Sequence, residues 1–253
     1  MDRNYTKRLT CRTQVLVRDG KGRAVWAAVD TQVLWEASET ALLICDMWDA
    51  HWSRGAQDRA GDLALRINHV AEAARACGMQ IVHAPSDTIG AYNGTAARER
   101  IARITPVQPP PDAEHPDPRL PIDDSYGGSD TGEKRPRKVW QRQHPAIVID
   151  QDRDVISDDG REIYSFVQQR GLKHVIMVGV HTNMCALNRT FGIKQLVRWR
   201  VDTVLVRDLT DTMYNPAMPP YVSHDEGTRL VVGYIEKFWC PTISADELLQ
   251  ICP

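Results

Sequence analysis

No stretch of this 253-residue sequence approaches the roughly 18 consecutive apolar residues that a bilayer span requires. The longest uninterrupted apolar run is the short Val175 to Val180 segment. Met1 to Thr13 is polar and charged and lacks the apolar core of a secretory leader, so a cytoplasmic protein with no membrane partner is the expectation. The six cysteines, Cys11, Cys45, Cys77, Cys185, Cys240 and Cys252, include no CxxC pair and no zinc-type spacing, and are read as free thiols. There is no internal repeat. The positive residues are dispersed and the formal net charge is −2, which leaves no electrostatic footprint for nucleic acid or an anionic membrane. A small neutral or mixed-charge substrate fits better.

What is present reads as an ordinary globular chain, with 42% apolar and 25% charged residues. The length suits one domain with elaborations: a core over 37–240, an N-terminal hairpin extension over 1–36 and a proline-rich insertion over 105–137. Gln14 to Arg18 and Ala24 to Val29 read as strands joined by the turn Asp19-Gly20-Lys21-Gly22, a hairpin at the domain edge. Ala41 to Cys45 is a continuous apolar run ending in Asp46, the pattern of a buried parallel strand whose carboxyl end opens into a crevice. Leu63, Ile67, Val70 and Ala74 lie at helical spacing, Gly78 stops that helix, and Gln80 to His83 resume as a strand. Between Thr105 and Pro136 prolines, glycines and acids accumulate, which predicts an irregular excursion that is either a lid or subunit contact or a tolerated insertion.

Order is expected again at Lys138 to Arg142 as a strand, from Asp159 to Arg170 as a helix capped by Gly171, and from His174 to Val180 as a strand. A turn at His181-Thr182-Asn183-Met184-Cys185 then leads into a helix over Ala186 to Trp199 and a strand over Thr203 to Val206. This alternation predicts an α/β fold of three layers, a Rossmann-like parallel sheet flanked by helices with an N-terminal β-hairpin. Ligands bind such sheets beyond the carboxyl ends of the strands. Cys185, where a strand hands over to a helix that Thr182 or Asn183 can cap, is placed for a lowered thiol pKa and for oxyanion stabilisation. A buried structural cysteine is the alternative, as a turn cap is for Asp46.

The segments Ala41-Leu42-Leu43-Ile44-Cys45-Asp46-Met47-Trp48 and Val178-Gly179-Val180-His181-Thr182-Asn183-Met184-Cys185 together resemble the isochorismatase-like cysteine hydrolases, which include nicotinamidases and related amidohydrolases. The likeness runs from about Glu39 to Glu236 in order and spacing. It implies Cys185 as nucleophile, Asp46 as its base, a cis peptide at Val180-His181, and the backbone N–H groups of His181 and Cys185 as oxyanion donors. The family's catalytic lysine has no clear counterpart. Arg142, at the end of the expected strand, is preferred over Lys138 at its beginning as the cation, and because arginine does not readily release a proton, Asp46 or His144 would protonate the leaving group. The metal-binding Asp-x-His of nicotinamidases is missing where His83-Ala84-Pro85-Ser86-Asp87 stands, so neither a metal nor a cofactor is expected. Asp49-Ala50-His51 has that spacing elsewhere, as a hydrogen-bonded turn or, with Trp48 and Trp52, a pocket loop. Trp48, His51, His144 and Asn183 are the candidate pocket residues, while His224 reads more readily as a loop histidine. The implied reaction is cleavage of a small amide, imide or ureido C–N bond through a thioester. A non-catalytic binder or assembly subunit of the same fold, or isochorismatase-type vinyl-ether hydrolysis, are the alternatives, and a homo-oligomer is expected because relatives commonly form them.

Overall fold

The computed structural model describes residues 6–134 and 137–250. Its centre is one eight-stranded sheet in the order β2-β1-β8-β7-β6-β3-β4-β5. The strands are β1 (Thr6–Arg18), β2 (Ala24–Glu36), β3 (Thr40–Cys45), β4 (Gln80–Ala84), β5 (Val155–Ile156), β6 (His174–Gly179), β7 (Asp202–Val206) and β8 (Thr242–Ile243). The run from β8 to β5 is parallel, and β1 is antiparallel to both β2 and β8. Among the described residues seven α-helices flank it: α1 (Arg54–Ala76), α2 (Ala96–Ala102), α3 (Gly160–Gln169), α4 (Cys185–Asn188), α5 (Ile193–Arg198), α6 (His224–Phe238) and α7 (Ala245–Leu249). This is the three-layer α/β architecture, with its N-terminal hairpin, that the sequence predicts.

The period of two in β3 separates the two cores. Leu42 and Ile44 pack with Leu63, Ile67, Val70 and Leu248 from α1 and α7, whereas Ala41 and Leu43 pack with Ile163, Phe166, Leu196 and Ile235 from the opposite layer. From β3 the chain moves outward to β4 and β5, then returns across the sheet to lay β6 on the other side of β3. The order therefore reverses between β3 and β6, and a crevice opens beyond their carboxyl ends. Asp46 and Val180 stand immediately after those two ends.

Several elements differ from the sequence reading. The hairpin is longer, thirteen residues a side, with a tip where the Asp19 carboxylate accepts the N–H groups of Lys21 and Arg23. Lys138 to Arg142 is not a strand: the Asp49 carboxylate takes the N–H groups of Gln141 and Arg142, β5 occupies the edge of β4, and only a bridge between Trp48 and Gln143 remains. Beyond it, buried Asp154 accepts from Arg75 and contacts His83, whose other nitrogen meets Gln143, so this irregular stretch is anchored by a polar network. The helix expected over Ala186 to Trp199 breaks into α4 and α5, because Arg189 is extended (φ −60°, ψ 160°) and Gly192 packs where a Cβ would meet the Ala186 carbonyl at 2.9 Å. Cys77 is disulfide-bonded rather than free, Cys11, Cys45, Cys185 and Cys240 are free thiols, and Cys252 lies outside the described residues.

Gly179 closes β6 with φ +105°, and a Cβ there would sit 2.1 Å from the Cys45 carbonyl oxygen. Both the backbone conformation and the approach of β6 to β3 demand glycine. Gly179→Ala is expected to lower stability by at least about 2 kcal/mol, read as a fall in the denaturation midpoint with an unchanged denaturant slope.

Candidate active site

Asp46 follows β3 in a left-handed conformation (φ 45°), its N–H held by the Ala84 carbonyl of β4 at 3.0 Å. Its side chain is fully buried. One carboxylate oxygen accepts the Ser86 backbone N–H at 2.7 Å, and the other accepts Nε of Arg189 at 3.0 Å. The second face of the Arg189 guanidinium lies 3.3 Å from Asp87. The thiol of Cys185, at the start of α4, interacts with the Asp46 carboxylate and receives the backbone N–H of His181. The Val180–His181 peptide is cis. Neither the His181 nor the Cys185 N–H donates to a backbone carbonyl among the described residues, which leaves both available at the thiol.

The charges here are set by burial. Burial pushes the Asp46 carboxyl up, against the lowering effect of Arg189, the thiol and Ser86. It pushes the Cys185 thiol far above its ordinary value, and the Asp46 charge adds to this while Arg189 opposes it. Burial alone would lower Arg189, yet Asp46, Cys185 and Asp87 hold it above its usual range. The thiol is thus neutral at rest, beside the carboxyl group that Arg189 contacts at 3.0 Å. This corrects the expectation of an acidic thiol at a helix N-terminus: α4 has only four residues, and Met184, not Thr182 or Asn183, precedes it without a side-chain cap.

The cation beside Asp46 is Arg189 and not Arg142. Arg142 is exposed, in the loop gathered by Asp49, and Lys138, also exposed, donates to the Asp87 carbonyl. His144 is likewise displaced: it lies over Gly61 of α1, its Nδ1 taking the Ala146 N–H. Trp48 and His51 do border the crevice. Trp48 stacks on Trp140 with ring centres 4.2 Å apart, the Arg189 guanidinium lies 6.0 Å above Trp48, and His51 meets His181 edge-on at 4.9 Å. The Asp49 carboxylate and the His51 ring are taken up by backbone N–H groups, so this Asp-x-His is a hydrogen-bonded turn. Among the described residues no group of three His, Cys, Asp or Glu side chains is placed to hold a metal ion.

Asn183 is a latch. Its amide accepts the Met213 N–H, donates to the Met213 carbonyl, and donates to Asp124 of the proline-rich excursion at 2.6 Å. Leu120 and Asp124 from that excursion join Asn183, Cys185, Asn188 and Arg189 around an open cavity of about 510 Å³. A larger cavity of about 620 Å³ beside Pro109–Pro111 and Trp199 includes neither Asp46 nor Cys185. His224 is also more than a surface residue. It contacts Asp211 at 2.8 Å, and Arg59 ties Asp211 to Asp130 of the excursion. The arginine missed in the sequence falls four residues after Cys185 and three before Gly192, in the extended link between α4 and α5 that the helical spacing of the segment conceals.

No family model matches the chain, and no curated protein matches it in sequence. Among solved structures, a cysteine hydrolase from Pseudomonas syringae pv. phaseolicola 1448A superposes with a TM-score of 0.56 at 16% identity, over 85% of this chain and 93% of its own. An isochorismatase from Pseudomonas putida KT2440 gives 0.50 at 12% identity, over 83% and 90%. The chain has the isochorismatase-like fold. In this isochorismatase-like fold Asp46 follows β3, and Cys185 opens α4 after the turn that leaves β6.

Because Asp46 raises the thiol pKa, removing its charge has a direction opposite to simple damage. Asp46→Asn is expected to lower the Cys185 pKa and increase the thiolate fraction above pH 8. Ultraviolet thiolate absorbance against pH, with Cys185→Ala as blank, measures it; an unchanged or higher pKa in Asp46→Asn contradicts the placement.

Proposed function

We propose that this chain is a cysteine hydrolase of the isochorismatase-like family that cleaves a small amide, imide or ureido C–N bond through a thioester on Cys185. The observation that carries this reading is the buried Asp46 carboxylate, fixed by Ser86 and Arg189 and turned to the Cys185 thiol. A neutral thiol beside a carboxylate is an arrangement for general-base catalysis. As Sγ bonds to the substrate carbonyl carbon, the thiol proton passes to Asp46, and the oxygen gathers negative charge at the His181 and Cys185 N–H groups. When the tetrahedral species collapses, the C–N bond breaks and the leaving nitrogen takes the proton from Asp46. Water then attacks the thioester, gives its proton to Asp46, and the departing sulfur recovers it. Arg189 keeps its charge throughout, since guanidinium does not release a proton near neutrality. Its part is to hold Asp46 in place and ionised between proton transfers.

Trp48, Trp140 and His51 make one side of the crevice aromatic, and Leu120 adds an apolar contact. These favour a compact, flat, uncharged substrate. The non-catalytic alternative drew its support from the missing lysine, and Arg189 now supplies a cation at Asp46.

The test is ammonia release from a panel of small amides, imides and ureido compounds. Cys185→Ala and Asp46→Asn are expected to be inactive, Arg189→Ala to lose about 100-fold or more in kcat/KM, and Arg142→Ala to stay within about twofold of the parent. Full activity in Cys185→Ala would refute the thioester route.

A further inference from the structure

Of the ten large hydrophobic side chains exposed among the described residues, seven lie on the hairpin: Val15, Leu16, Val17, Val25, Trp26, Val29 and Leu34. The hairpin also forms the end of the sheet, so among the described residues no strand lies beside the outer edge of β2. Natural edge strands of this length are blunted by lysines, prolines, bulges or a covering helix. β2 has none of the first two: its sequence, AVWAAVDTQVLWE, carries only Asp30 and Glu36 as charges, and its pairing with β1 runs without interruption from Ala24 to Glu36.

We propose that the β2 edge is a dimer interface, in which a second copy of this chain pairs its own β2 antiparallel to the first about a two-fold axis through Asp30. The strand is self-complementary about that residue. The axis sets Val29 against the second copy's Thr31, Ala27 against its Val33, Trp26 against its Leu34 and Val25 against its Trp35. Trp26 is 42% and Leu34 65% exposed in the single chain, and this register covers each with the other. Charge agrees with it. Each Asp30 brings its own Arg12 at 3.1 Å, so the centre does not oppose two bare carboxylates. At the ends, Glu36 comes beside the second copy's Ala24 and next to its Arg23, which in its own chain is paired with Asp19. A thirteen-residue strand is about 43 Å long, and pairing along it covers on the order of 700 Å² per partner, close to a standard specific interface. An isologous contact of this kind closes on itself and does not propagate.

The experiment is light scattering behind gel filtration over a range of micromolar concentrations. The parent chain is expected at twice its 28.6 kDa mass. The pair Val29→Lys with Thr31→Lys puts like charges opposite each other on both sides of the axis, and is expected to raise the dimer dissociation constant at least about 100-fold. Val29→Lys with Thr31→Glu sets lysine against glutamate in the same register and restores the dimer. Circular dichroism melts report folding, and Leu34→Lys, at an open position, reads the same interface if the lysine pair fails to fold. A parent chain that stays at 28.6 kDa overturns the proposal. So does a folded lysine pair that dimerises as tightly as the parent, or a folded lysine–glutamate pair that remains monomeric.

Discussion

The ion pair between Arg189 and Asp46 is the constraint around which the crevice is arranged. A carboxylate with no solvent contact requires compensation, and it receives a backbone N–H from Ser86 and a guanidinium from Arg189. Meeting that requirement shapes the chain on both sides. β4 must end so that the residues after it turn back over β3, and the helix that starts at Cys185 must stop after one turn so that Arg189 can extend toward the carboxylate. Gly160 makes room for this break, because a Cβ there would fall 1.9 Å from the Thr190 carbonyl oxygen.

Lysine and arginine would not be equivalent at this point. A lysine can lose and regain a proton, so it can share the traffic between nucleophile and leaving group. Arginine fixes the charge and, with two edges, bridges Asp46 and Asp87 at once. In the proposed mechanism the proton then moves between Asp46, the Cys185 thiol and the substrate. His181 adds no charge to the crevice: burial, helped by the neighbouring His51, holds its pKa down at about 3, so the ring is neutral.

The sheet was legible in the sequence because burial on both faces writes a simple pattern. Ala41 to Cys45 and His174 to Gly179 are apolar runs, and Gly78 and Gly171 stop helices in left-handed conformations as their positions suggest. Asp46 and Cys185 were legible as strand-end residues. Arg142 misled because strand character was assigned to a segment whose backbone is gathered by the Asp49 carboxylate, an interaction 93 residues away in sequence that leaves no local periodicity. Arg189 was hidden by the reverse error, since Ala186 to Trp199 has helical spacing and only the contacts of Gly160 and Gly192 reveal the break. The turn after β6 was similar: Thr182 and Asn183 look like helix caps, but tertiary partners at Asp211 and Met213 claim their side chains.

The proline-rich excursion is fastened at separate points, Asp124 to Asn183, Ser129 to Asn215 and Asp130 to Arg59, and between them it offers Leu120 to the cavity. Asp46 follows β3 and Cys185 opens α4, whereas this loop holds part of the wall they face. Such a division lets the two evolve apart. A change at Leu120 alters that wall without touching the hydrogen bonds that hold the Asp46 carboxylate, so the shape of the cavity and the proposed chemistry are set by separate parts of the chain.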